Sequence, residues 1–250
     1  MFATQDRIWV TQNLEVIFPY KSKKEIARIR IMMFRNFAKY LVDFFRFQNL
    51  DADYVEKNIK FENLEYVDAA LKNKKGLISV TAHIGNWELA GAALSLKGYP
   101  ISAVALSHKN KKVNDFFIRQ RESKKLNVIP FGNAARACLS ALKQNHLLAL
   151  VGDRDFSEKG PVIDFFGKPS IFPEGPAVFA LKTKAEIIPG FMVRNTDDTF
   201  TLRFEKPVEY EVTGNKSEDI KKIITSYKSI FEKYIGLYPD QWFMFRRFWA

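Results

Sequence analysis

Cysteine is nearly absent: Cys138 is the single one in 250 residues. That excludes an intrachain disulfide framework and any cysteine-built metal site, and a reducing compartment is the simple reading. No metal site is expected and no cofactor is called for. Histidine is almost as scarce, at 83, 108 and 146; His108 and His146 have no partner at a recognisable spacing and take no role. Long apolar runs are missing too. No window approaches the roughly 18 consecutive apolar residues of a spanning helix, and Met1 does not open a basic-then-apolar leader. Neither a transmembrane segment nor a signal peptide is legible, so membrane attachment is expected to be peripheral. Acidic side chains are in short supply, with Asp+Glu 28 against Lys+Arg 39 and a formal charge of +11. This favours an anionic partner, whether nucleic acid, anionic lipid or an acidic protein. Nucleic acid is the poorest fit, because the aromatics cluster with aliphatics and form no recognised base-stacking motif.

What is present is a globular composition, 47% hydrophobic and 27% charged, enough for one sizeable core and a single domain over 1–250. Residues 1–60 read as a helical segment packed on an α/β core at 77–210. In 23–48, Ile26, Ile29, Met33, Phe37, Tyr40, Leu41, Phe44 and Phe45 recur near helical spacing, with Arg28, Arg30, Arg35, Lys39 and Arg46 between them. This is a basic amphipathic helix, its stripe facing either the protein's own core or an anionic membrane surface. Phe and Trp interleaved with Arg, as in "WFMFRRFW" at 242–249, suit the same interface. Helix 64–76, strand 77–82, a helix capped by Asn86 and stopped by Gly98, and strand 101–106 form a strand-helix-strand unit expected of a parallel pair. The alternation continues with helices 111–124, 133–144, 176–184 and 217–236 and strands 127–131, 147–153, 186–193 and 199–210. The fold class is therefore α/β, a mixed central sheet with helices on both faces. A long Phe-rich loop, 154–175, interrupts it.

The stretch "TAHIGNWELAG" places His83 just beyond a strand's carboxyl end and Glu88 in the first turn of the next helix. On one continuous helix residues five apart lie about 140° apart, so the two meet only if His83 sits in the turn. Gly85 and Asn86 make such a turn feasible. A carboxylate folded onto one imidazole nitrogen fixes the tautomer and leaves the other nitrogen to take a proton. Spacing alone equally allows a structural His–carboxylate pair. Asp153, Arg154 and Asp155 follow another strand end and face the same rim, where ligands of open α/β sheets bind. They can orient His83, contact acceptor phosphates or sugars, or form a surface ion pair. Oxyanion donors are sought among Arg119, Arg121 and backbone N–H groups near Gly85. Glu174, Gly175 and Pro176 open a helix able to hold a phosphate. Cys138, on an apolar helical stripe, reads as a small buried hydrophobe and not as a nucleophile.

"HIGNWE" resembles the His-x-x-x-x-Asp/Glu signature of the lysophospholipid acyltransferase superfamily, in the form found in bacterial lipid A biosynthesis acyltransferases. "NLEVIFP" (13–19), "DRDFSEKGPVIDFFGKPSIFPEGPAVFALKTKAEIIP" (153–189) and "YPDQWFMFRRFW" (238–249) are similar to further blocks of that family, so the likeness spans nearly the whole chain. Actinobacterial mannoside acyltransferases share these blocks. Two departures are visible: the family's additional amino-terminal membrane anchor is not seen, and Phe245 precedes Arg246 and Arg247 where a His is usual. The resemblance implies a glycerol-phosphate acyltransferase-like fold. It also implies transfer of a fatty acyl chain from acyl carrier protein or acyl-coenzyme A to a hydroxyl of a membrane glycolipid, at the cytoplasmic face of the bacterial inner membrane. His83 is then the general base, Glu88 its orienting carboxylate, and Arg121 the favoured donor to the oxyanion.

Overall fold

The computed structural model describes residues 4–156 and 159–249. Helices α1 (Thr4–Ile17), α2 (Lys23–Phe45) and α3 (Ala52–Asn58) precede β1 (Ile59–Glu62); α4 (Leu64–Lys72) leads to β2 (Leu77–Thr81). Then come α5 (Trp87–Leu96), β3 (Ile101–Ala105), α6 (Lys111–Glu122), β4 (Asn127–Pro130), α7 (Ala134–Lys143) and β5 (Leu147–Val151). A hairpin, β6 (Val162–Phe165) and β7 (Lys168–Ile171), is followed by α8 (Gly175–Thr183), β8 (Glu186–Arg194), β9 (Phe200–Phe204) and α9 (Lys216–Leu237). Seven strands form one mixed sheet in the order β1-β9-β8-β2-β5-β3-β4, parallel throughout except between β8 and β9.

Helix starts follow local chemistry. Ser22 and Glu25 make a reciprocal capping box at α2, and Asn86, Asn110 and Asn215 each accept an N–H of the first turn of α5, α6 and α9, satisfying donors that a helix end leaves orphaned. Alternation along the strands builds two cores. Ile78, Val80, Leu148, Ile187 and Phe191 pack with α7, α8 and α9 on one face. Leu77, Leu147, Ile188, Met192 and Leu202 pack with α3, α4 and α5 on the other. Successive side chains of a strand point to opposite faces, so both faces need a helical cover.

Three expectations change. The unit at 77–106 is present and both its strands run parallel, but β5 lies between β2 and β3, because a crossover fixes direction and not adjacency. The sheet begins at Ile59, before the 77–210 core, since β1 is its edge strand beside β9. The loop 154–175 contains a hairpin, and its Phe165 and Phe172 are fully buried against each other, Phe165 also against Trp249. On α2, Ile26, Met33, Tyr40 and Phe44 of the stripe are buried and Phe45 is exposed, as are Ile31, Met32 and Val42, which lie outside the stripe.

Candidate active site

His83 lies in the turn after β2. Gly85 has φ +63, and a Cβ there would fall 1.8 Å from the Met192 carbonyl oxygen, so only glycine fits a backbone this close to β8. The turn is pinned on every side. Gly85 N–H donates to Gln241 O (2.9 Å), Asn86 N–H to Met192 O (2.9 Å), Ile84 N–H to Ala82 O (2.7 Å), and His83 N–H to Asp153 Oδ2 (3.0 Å). The backbone amides near Gly85, expected as oxyanion donors, are therefore already bonded.

The carboxylate on the imidazole is Asp153, not Glu88. His83 Nδ1 and Asp153 Oδ1 are 2.6 Å apart, and Trp242 Nε1 donates to Asp153 Oδ2 at 2.9 Å. Register explains the choice. β2 and β5 are parallel neighbours with Thr81 opposite Val151, so two residues past each strand end His83 and Asp153 stand side by side. Asp153 is 0% exposed. Burial works against its charge, but the imidazole, the His83 N–H and the indole outweigh it and hold the carboxyl below the usual carboxylate range. With Nδ1 engaged, Nε2 is the nitrogen left for a substrate proton.

Glu88 instead closes a bidentate ion pair with Arg121 of α6: Nε to Oε2 at 2.9 Å and Nη2 to Oε1 at 2.6 Å, both residues buried. The helix start, fixed by Asn86, turns the Glu88 carboxylate toward α6 and away from the imidazole. Burial alone would lower the Arg121 pKa, yet the Glu88 carboxylate raises it above the ordinary value. Arg119 is exposed, its Nε on the Asp115 carbonyl (3.2 Å), and does not line the site. Asp155 faces the cavity but its Oδ2 accepts from Lys159 N–H (3.1 Å) and Gly160 N–H (2.8 Å), shaping the loop. Arg154 lines the cavity.

That cavity has a volume of about 450 Å³ and touches both cores. One lobe runs between α5 and the sheet, past Gly91, Leu94, Ala149, Gly190 and Leu202; the other lies above the strand ends, past Leu106, Phe131, Phe156, Pro173 and Phe179. His83, Glu88 and Arg121 line it as well. An apolar cavity reaching the imidazole is what a mere binder of anionic surfaces does not need. Cys138 lines it too, but burial pushes its thiol up to about 11, which leaves it inert.

Two functional candidates escaped the sequence. Trp242, 89 positions from Asp153, gave no local signal beyond its place in "YPDQW". Tyr40 sits on the inward stripe of α2 and lines the cavity, its ring 4.8 Å from Trp87, which is in turn 5.2 Å from His83. Burial and the Glu88 charge raise its phenol well above 10, so it remains a neutral donor. Among the described residues no group of three or more His, Cys, Asp or Glu converges as a metal site would require, and no helix is long and apolar enough to cross a membrane.

The profile described as bacterial lipid A biosynthesis acyltransferase matches residues 1–250. A phosphatidylinositol mannoside acyltransferase of Mycobacterium tuberculosis (strain CDC 1551 / Oshkosh) is 30% identical over 190 residues, 74% of this chain and 58% of the relative. The lipid A biosynthesis acyltransferase of Haemophilus influenzae is 23% identical over 243 residues, 96% of this chain and 74% of that one. The chain thus spans less than two thirds of the length of the mycobacterial relative. A crystal structure of the 1-acyl-sn-glycerophosphate acyltransferase of Thermotoga maritima aligns with TM-score 0.40 and 10% identity, over 91% of this chain and 94% of that one.

Proposed function

The chain belongs to the bacterial lipid A biosynthesis acyltransferase family, and from that membership and the His83 site we propose that it moves a fatty acyl chain from a thioester to a hydroxyl of a membrane glycolipid. The observation that carries this is the His83–Asp153 pair at 2.6 Å, opening on an apolar cavity. The acyl chain lies in the lobe between α5 and the sheet. The acceptor hydroxyl approaches Nε2, gives up its proton, and its oxygen attacks the thioester carbonyl. A tetrahedral oxyanion forms and collapses, the acyl carbon keeping the new oxygen and releasing the thiolate, which takes the proton from the imidazolium. Asp153 holds the tautomer and stabilises the charged ring. Tyr40 and the N–H groups of Arg121 not taken by Glu88 are the cavity's donors for the oxyanion.

The relatives' names point to two acceptor classes, lipid A precursors and mannosylated phosphatidylinositol; carrier protein and coenzyme A are the two donors to compare. The exposed row of α2, in which Ile31, Met32, Val42 and Phe45 alternate with Arg28, Arg35, Lys39 and Arg46, supports a peripheral seat on an anionic bilayer at the inner membrane's cytoplasmic face. The test is incubation of the full chain with acyl carrier protein or coenzyme A thioesters and each acceptor class in vesicles, followed by mass spectrometry. A product heavier by one acyl chain, lost in His83→Ala, is expected. Thioester left intact with every acceptor would sink the reading.

A further inference from the structure

The turn that carries His83 is held by residues that do not reach the cavity, and one of them is a carboxylate. Asp43, in the last turn of α2, does not line the cavity, and its side chain is only 19% exposed. Its Oδ2 accepts from Asn86 Nδ2 at 2.9 Å and from Arg194 Nη2. Both contacts bear on the catalytic turn.

The first contact fixes an amide. Asn86 is buried and caps α5 by accepting the Leu89 N–H at Oδ1, 3.0 Å away. An asparagine amide accepts at one end and donates at the other. An ionised carboxylate only accepts, so Asp43 requires the Nδ2 end and leaves Oδ1 to the helix. The reversed amide would set oxygen against carboxylate and NH₂ against N–H. The second contact works through the backbone. Arg194 ends β8, and Gln241 bridges its two main-chain groups: Arg194 N–H donates to Gln241 Oε1 and Gln241 Nε2 to Arg194 O, both at 2.9 Å. Gln241 O accepts the Gly85 N–H, and the next residue, Trp242, carries the indole that meets Asp153.

Two further charges sit outside this pair. Arg194 Nη1 lies 3.3 Å from Asp198 Oδ1, which also takes Lys39 Nζ at 2.5 Å, and the guanidinium lies 4.5 Å from the Phe200 ring centroid. Asp198 is exposed, so its hold is weak. Burial pushes the Asp43 carboxyl above its ordinary value, with Arg194 and Asn86 opposing. An ion pair taken out of water adds little net stability, because desolvation offsets the attraction. Orientation is what it supplies.

We propose that Asp43 is a positioning residue for acyl transfer: through Asn86 and Arg194 it fixes the turn that presents the His83 ring to Asp153. This rests on the acyl-transfer reading. A misplacement of about 1 Å can cost on the order of 10²-fold in rate, so a side chain that touches no substrate can set turnover.

The test measures transfer by the full chain from palmitoyl-coenzyme A to mannosylated phosphatidylinositol or a lipid A precursor in vesicles, whichever the wild type acylates. Asp43→Ala is expected to lower kcat about 10²-fold with KM near the wild-type value, the mark of an interaction lost only from the transition state. It should also move the low-field NMR resonance of the His83 Nδ1 proton, assigned against His83→Ala. Glu62→Ala, which breaks the ion pair with Arg203 at the sheet edge, should move neither. Asn86→Asp sets two carboxylates together and should lose as much as Asp43→Ala; adding Asp43→Asn returns a donor to the contact and should recover most of the kcat. Where Asp43→Ala misfolds, this exchange carries the test. A folded Asp43→Ala with unchanged kcat and resonance overturns the proposal, as does a rise in KM alone or an exchange that recovers nothing. If the wild type transfers no acyl group, the transferase reading falls, and the resonance by itself decides whether Asp43 sets the pair.

Discussion

Two buried carboxylates lie against two nitrogen groups that line this cavity, the His83 ring and the Arg121 guanidinium, and they are built for opposite ends. Asp153 grips one edge of the His83 ring, its backbone N–H and the Trp242 indole, leaving Nε2 free. Glu88 meets Arg121 with both oxygens on two guanidinium nitrogens, and the pair largely neutralises itself. A base works on a substrate only while it keeps one valence open. The first pair has that property; the second has its carboxylate fully spent and clasps α5 to α6, leaving only the remaining Arg121 N–H groups toward the cavity.

The comparison breaks most sharply at His83. His83→Ala should lower acyl transfer by about 10²–10⁴-fold with the fold intact, the usual contribution of a general base; transfer at the wild-type rate would dissolve the distinction between the pairs. Asp153→Asn should fall close behind, on the order of 10²–10⁴-fold, because the amide no longer fixes the tautomer. It also carries a pH signature. A carboxyl held below its unfolded value of about 3.9 stabilises the protein fully above that pH and loses the contribution as pH falls through the lower folded pKa. Thermal unfolding followed from pH 5 to 3 should therefore drop more steeply in the wild type than in Asp153→Asn.

Arg121→Met probes the clasp. It strands a buried Glu88 charge and should destabilise by about 3–5 kcal/mol, whereas the double variant Glu88→Gln, Arg121→Met should recover much of that loss. Chemical denaturation of the four proteins of this cycle gives the coupling, and additive losses would mean that the ion pair is not the clasp described. The smallest effect should come from a residue in neither pair. Ala149→Leu adds carbons to the lobe beneath α5, and since each buried CH₂ contributes about 0.8 kcal/mol, displacing two methylenes should shift preference toward shorter acyl donors roughly tenfold. Competition between two donor lengths, read by mass spectrometry, measures it; an unchanged ratio would move the acyl chain out of that lobe.

The same contrast separates what is legible in sequence from what is not. Asn86 is readable as a cap because a cap and the N–H it accepts lie within three residues. His83 is readable as a turn residue because Gly85 and Asn86 follow it. Glu88, five residues away, was for that reason the natural partner to expect, and Asp153, 70 residues away, is the one found.

The sequence by itself determined the α/β alternation, the capped helix after His83, the excess of positive charge and the family, because these reside in local periodicity, backbone preference and composition. Only the tertiary structure decided that β5 would insert beside β2, and with it which carboxylate meets the imidazole. It also decided that Trp242 returns to the same rim, and that Phe165 and Phe172 fill the core and not the cavity. Those outcomes depend on strand order and register, which are settled by how two helical layers cover a twisted sheet, and no run of neighbouring residues carries that information.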